Sequence, residues 1–324
     1  MTEYWQEYYR FWDDFVREWF ENEGSFQGEI GSLYGDPKLL DVKELPEPYA
    51  HRPFDGKDRR RVKAAILNLN PGASSGNECT KCLCRYREGD AELMYKFDKV
   101  HERIYSHFVS ECGCLLNEFD DDWYDCIPGV KWWQGDKRDN HCGGRMRWLR
   151  QFYDSSLMPE EVFASELCPY HSKRTRTGTF EKKIRSNPNV VWERVLAPLA
   201  VVAVENRLTC VSCMGKDFEL IFDRIFIGEF HKENQWSGGV DMLGAPIPEW
   251  PPRGMDSSSV NRSYTLYRLK ADSQRSKELS LKANVDLSTV SFLCVTSQGS
   301  NNPPQDKFQD VEKNIRSYIE GLCC

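Results

Sequence analysis

Short apolar runs that break into polar, proline-bearing loops organise this chain. Val62-Lys63-Ala64-Ala65-Ile66-Leu67 ends in Asn68-Leu69-Asn70-Pro71-Gly72. The run is Ile/Leu/Ala-rich and does not alternate, as expected for a strand buried on both faces. Pro71 cannot continue a central ladder, and Gly72 permits a sharp turn. Val162 to Leu167 has the same form and runs into Cys168-Pro169-Tyr170-His171-Ser172-Lys173. Val290 to Val295 runs into Thr296-Ser297-Gln298-Gly299-Ser300-Asn301-Asn302-Pro303-Pro304. The three loops are expected on one side of a sheet, where open α/β sheets bind ligands.

Between these runs the periodicity predicts helices. Trp5, Tyr8, Tyr9, Trp12, Phe15, Val16 and Trp19 follow Thr2 at helical spacing, and an apolar helical stripe normally meets a core. Further helices are expected over about 90–110, 145–154, 187–196 and 216–222, and from near Gln305 to Leu322. Ala200 to Val204 reads as a third buried strand. Arg224 to Phe230 and Ser263 to Leu269 read as a pair of extended segments. The order implies a mostly parallel sheet with helices on both faces. Residues 1–324 form a single domain in this reading, with an N-terminal helical extension at 1–45 and insertions at 112–144 and 231–262.

The 324 residues carry a net charge of -7, which does not advertise nucleic-acid binding. The distribution changes that picture. Arg59, Arg60 and Arg61 precede the first strand, and Lys173, Arg174, Arg176, Lys182, Lys183 and Arg185 follow the second loop. A local basic patch can serve phosphates on an acidic protein, although a solvated face reads the same way. The sequence has no long apolar run and no basic-then-apolar leader pattern, so a cytoplasmic protein is expected. Thirteen cysteines are an odd count, which argues for reduced thiols over a closed disulfide framework.

The first loop, Asn68-Leu69-Asn70-Pro71-Gly72, resembles the first motif of the uracil-DNA glycosylase superfamily in its Asn-Pro-Gly branches. Ser297 to Pro304 stands where that superfamily has a strand-terminal loop that wedges into DNA. Asn68 replaces the usual first-motif glycine, and Ser297-Gln298-Gly299 departs from the second motif. The resemblance implies a three-layer α/β/α sandwich around a mostly parallel four-stranded sheet. It also implies hydrolysis of the N-glycosidic bond of a flipped-out base, by a monomer acting on damaged or phage DNA. Asn70 would hold the attacking water, against the plainer role of capping the turn. Gly72 stands where the uracil-restricted branch has a bulky tyrosine, so Pro71-Gly72 would leave room for a 5-substituted pyrimidine.

Glu166 ends an otherwise apolar strand, where an unpartnered charge is costly. A carboxylate there can accept from the exocyclic amine of a cytosine-type base, act as general base, or pair with Lys173, Arg174 or His171. Asn68, Tyr170 and His171 are candidates for contacting the extruded base. Ser172, Lys173, Arg174, Ser297, Gln298, Ser300 and Asn301 are candidates for contacting DNA. No cofactor is expected, although Cys79, Cys82, Cys84, Cys112 and Cys114 have a spacing that zinc or an iron–sulfur cluster accepts. A hydroxymethylated or glucosylated cytosine of phage DNA is the expected substrate, within antiviral defence. The alternatives are a uracil or mismatch repair glycosylase, an inactive nucleic-acid-binding fold, and a metal-stabilised interaction protein.

Overall fold

The computed structural model describes residues 3–8, 10–11, 62–69, 147–157, 161–168, 181, 184–185, 187–215, 217–237, 239–248, 262–297 and 308–322. Six strands form one sheet: β1 (Ala64–Asn68), β2 (Val162–Glu166), β3 (Val211–Met214), β4 (Phe230–Ser237), β5 (Arg262–Leu269) and β6 (Ser291–Ser297). The order is β2-β1-β3-β6-β5-β4. The β2-β1-β3-β6 part is parallel throughout. β5 and β4 extend it by antiparallel pairing. Among the described residues the sheet therefore has six strands, not four, with the expected parallel character confined to the block that carries the three loops.

Side-chain alternation divides the sheet between two apolar clusters. Ala65, Leu67, Phe163, Val211, Cys213, Phe292 and Cys294 enter one cluster. Helices α1 (Pro188–Val191) and α2 (Ala197–Glu205), joined by a π-helical segment Trp192–Leu196, cover this face with α3 (Asp217–Arg224) and α4 (Gln274–Ala283). The N-terminal helical stretch joins them: Tyr4, Trp5 and Tyr8 are buried there. Trp5 packs edge-on against Phe163 and donates its indole N–H to Glu205. The aromatic stripe thus serves packing where it is described, and the start of the 1–45 extension belongs to the core.

Ala64, Ile66, Val162, Ala164, Met214, Tyr264, Leu266, Leu293 and Val295 enter the second cluster. It is closed by Trp148, Leu149 and Phe152 of a helical segment at 147–152, and by Val311, Ile315 and Ile319 of α5 (Gln309–Leu322). Trp148 stacks on Phe152 with centroids 4.9 Å apart. Burying side chains of this size contributes about 1.5–3 kcal/mol each.

Several elements differ from expectation. Ala200 to Val204 is helical, within α2, and the third parallel strand is Val211–Met214. A helix buried on every side has no polar face, so its apolar run reads like a strand. Pro198 lies near the start of α2, just after the π segment, where Ala197 N–H bonds Trp192 O. That widened turn helps accommodate a proline that cannot donate and that crowds the preceding turn. Arg224 to Phe230 is not extended: α3 ends at Arg224, turns follow, and β4 starts at Phe230. The partner of β5 is therefore β4, which falls largely within 231–262, so that range is not wholly an insertion. β4 is an edge strand with a bulge between Lys232 and Asn234, and its charged residues suit an edge. Helix α4 has no counterpart among the expected elements, although Ser273 Oγ caps its start and Asn284 (φ 55°) ends it in the left-handed region.

Gly215 shows how closely the strand ends pack. Its φ is +136°, and a Cβ there would stand 2.9 Å from Leu69 Cδ1. Gly215→Ala is expected to cost about 1–3 kcal/mol, from backbone strain and displacement of Leu69. Denaturant titration would detect this as a lower midpoint, and an unchanged midpoint would refute it.

Candidate functional site

The parallel strands bring their carboxyl ends to one edge. Asn68 is in register with Glu166 on β2 and with Met214 on β3. Met214 is in register with Val295, two residues before the end of β6 at Ser297. The first, second and third loops thus begin on the same edge of the sheet. The first two start zipped together: Leu167 N–H donates to Asn68 O at 2.8 Å, and Cys168 N–H to Leu69 O at 3.0 Å.

Asn68 and Glu166 are both fully buried. Asn68 Nδ2 donates to Glu166 Oε1 at 3.0 Å. A carboxylate oxygen can only accept from an amide nitrogen, which fixes the Asn68 amide with Nδ2 toward Glu166. Asn68 Oδ1 is buried and has no hydrogen-bond partner among the described residues. The residue that replaces the first-motif glycine and the acid that ends the second strand therefore form one unit. A glycine at 68 would leave Glu166 without this donor.

Of the other expected site residues, Ser297 lies at the carboxyl edge, in register with Arg262 of β5. Asn70, Pro71, Gly72, Tyr170, His171, Ser172, Lys173, Arg174, Gln298, Ser300 and Asn301 lie outside the described residues. So do Cys79, Cys82, Cys84, Cys112 and Cys114. The described cysteines Cys168, Cys210, Cys213 and Cys294 are buried and form no disulfide. Among the described residues no cluster of His, Cys, Asp or Glu suits a metal, and no helix is long and apolar enough to cross a membrane.

The same face holds a second polar group that sequence reasoning missed. Glu312 of α5 is fully buried. Its Oε1 accepts from Trp148 Nε1 at 2.9 Å and from Tyr264 O–H at 2.6 Å, while Gln151 Nε2 donates to Oε2. Burial pushes the Glu312 carboxyl up to about 7, against the lowering effect of these donors and of Arg262. Burial, with the charge of Glu312, also holds the Tyr264 hydroxyl well above its ordinary range. An acid between Val311 and Ile315, inside an apolar helical stripe, was the available signal.

The chain matches no protein-family model, no curated protein and no solved structure.

Proposed function

We propose that this chain is a monofunctional DNA glycosylase acting on a flipped-out modified pyrimidine. The substrate we favour is a 5-substituted cytosine, hydroxymethylated or glucosylated, in phage DNA. The observation that carries the reading is the buried Asn68–Glu166 pair, at the sheet edge from which all three candidate loops leave. The four parallel strands, with helices on both faces, suit the α/β/α sandwich that the first-motif resemblance implies.

The chemistry asks for an acid whose orientation is fixed in a dry site. With one oxygen bonded by Asn68, Glu166 meets that demand. In the proposed reaction a water, held by Asn70, bonds the anomeric carbon as the base departs with the electrons of the N-glycosidic bond. The water proton passes to Glu166. Alternatively Glu166 accepts from the exocyclic amine of the base, and so prefers cytosine-type bases to uracil. Extrusion itself costs a few kcal/mol of stacking, which the pocket must return.

The direct test is abasic-site formation on DNA carrying uracil, hydroxymethylcytosine or glucosylated hydroxymethylcytosine. Release from the two modified cytosines is expected. Release of uracil alone would refute the choice of substrate, and release of none would refute the activity.

A further inference from the structure

Arg262 is a buried cation on this face that the proposed chemistry leaves unused. It opens β5 opposite Ser297, at the carboxyl edge. Alternation along β5 places it with Tyr264 and Leu266, on the face that carries Asn68 and Glu166. Only 8% of its surface is exposed. Its guanidinium lies over the Phe308 ring, 3.9 Å from the centroid. Nε and Nη1 are buried and have no hydrogen-bond partner among the described residues.

A guanidinium cannot shed its charge, so this group must find an anion or remain uncompensated. Among the described residues, Glu312 and the Tyr264 hydroxyl bonded to it act on the guanidinium electrostatically. Yet among the described residues no ion pair joins Arg262 and Glu312, and both Glu312 oxygens already accept from Trp148, Tyr264 and Gln151. Burial also favours the neutral form of Glu312. The local carboxyl group is therefore committed elsewhere, and two donors of a desolvated cation stand ready for another acceptor.

The second orphan group on this face is Asn68 Oδ1. Asn68 lies three strands away through Met214, Val295 and Tyr264, and Arg262 lies two residues before Tyr264 on β5, toward the carboxyl edge. Strand spacing and rise put the two backbones about 16 Å apart. Allowing for the two side chains, that gap is of the order of a nucleotide measured from base to phosphate. One ligand with an N–H donor at one end and an anion at the other would answer both groups.

We infer that Arg262 receives a phosphate of the nucleotide whose base is held at Asn68 and Glu166. The inference rests on the proposed action on DNA, but not on any base being released. Guanidinium matches phosphate geometry in a way that a lysine point charge does not.

The test is fluorescence-anisotropy titration of a labelled single-stranded oligonucleotide against the full chain at several salt concentrations. Arg262→Gln is expected to weaken binding about ten-fold and to reduce the slope of log K against log salt by about 0.7, the value for one single-strand phosphate contact. Arg262→Lys is expected to keep the slope and lose about five-fold in affinity. Equal slopes for wild type and a folded Arg262→Gln would overturn the inference, even if base release were robust. So would a wild-type chain that binds no DNA. If Arg262→Gln does not fold, the lysine variant decides: wild-type affinity in it would overturn the role of the guanidinium. A wild type that passes these tests and releases no base would sink the glycosylase reading alone.

Discussion

Glu166→Gln is expected to lower base release by about 10²–10⁴-fold, the usual contribution of a positioned general base. The substitution is chosen because it should spare the fold. Glutamine is nearly isosteric, and its Oε1 can still accept from Asn68 Nδ2 across the 3.0 Å contact. What it removes is the capacity to take a proton. If Glu166 instead reads the exocyclic amine, the larger change will be in discrimination. A good polar contact to a base edge is worth about 1–3 kcal/mol, or roughly ten- to hundred-fold in the ratio of cytosine-type to uracil-type release. Single-turnover assays on both base types separate the two roles. Unchanged rate and unchanged ratio, with the fold intact, would reduce the Asn68–Glu166 pair to an architectural contact.

The second large effect is on stability. Glu312→Ala is expected to cost about 4 kcal/mol, because Trp148 Nε1, Tyr264 O–H and Gln151 Nε2 would lose their acceptor inside the core. That corresponds to a fall of about 10 °C in Tm for a chain of this size. Glu312→Gln should be far milder. Its Oε1 can accept from Trp148 and Tyr264, and Gln151 can turn its amide to present oxygen to the new N–H group.

The two variants also differ in pH response. The folded Glu312 carboxyl sits near 7, above its unfolded value of 4.5. The folded state therefore holds a proton that the unfolded chain has already released between those values, so stability falls as pH rises through that window. This group should account for about 3 kcal/mol of that loss, at about 1.4 kcal/mol per unit. Below 4.5 the loss is absent, and above 7 it is complete. Glu312→Gln should flatten this part of the profile. Denaturant unfolding at pH 4.5, 6 and 8 measures it, and an identical profile in the glutamine variant would disprove the assignment.

Legibility in the sequence followed local physics. β1, β2 and β6 were readable because each is an apolar run stopped by polar and proline residues. β5 was readable because it alternates. β4 was not, because His231, Lys232, Glu233 and Asn234 belong to an edge and a bulge, where polar residues are favoured over apolar alternation. α2 reads as a strand in the sequence because burial on all sides erases the helical period. α4 carried cap signals at Ser273 and Asn284, but its weak apolar stripe hid them.

The candidate site divides in the same way. Glu166 was conspicuous alone, as an acid at the end of an apolar run. Its partner was not, since Asn68 lies 98 residues away and the two meet only through parallel strand register. Arg262 and Glu312 gave weaker local signals still: one opens a strand, the other interrupts a helical stripe.

By itself the sequence determined the three buried strands β1, β2 and β6, where they stop, and that an acid and several amides stand at those stops, because burial and proline chemistry act locally. Only the tertiary structure decided which of those groups touch. Register joined Asn68 to Glu166, and strand order brought Arg262 to the same face and edge. Packing of α5 set Glu312 beneath Tyr264. Such pairings depend on the sum of long-range contacts, whose chain-closure cost is repaid only when the whole sheet forms.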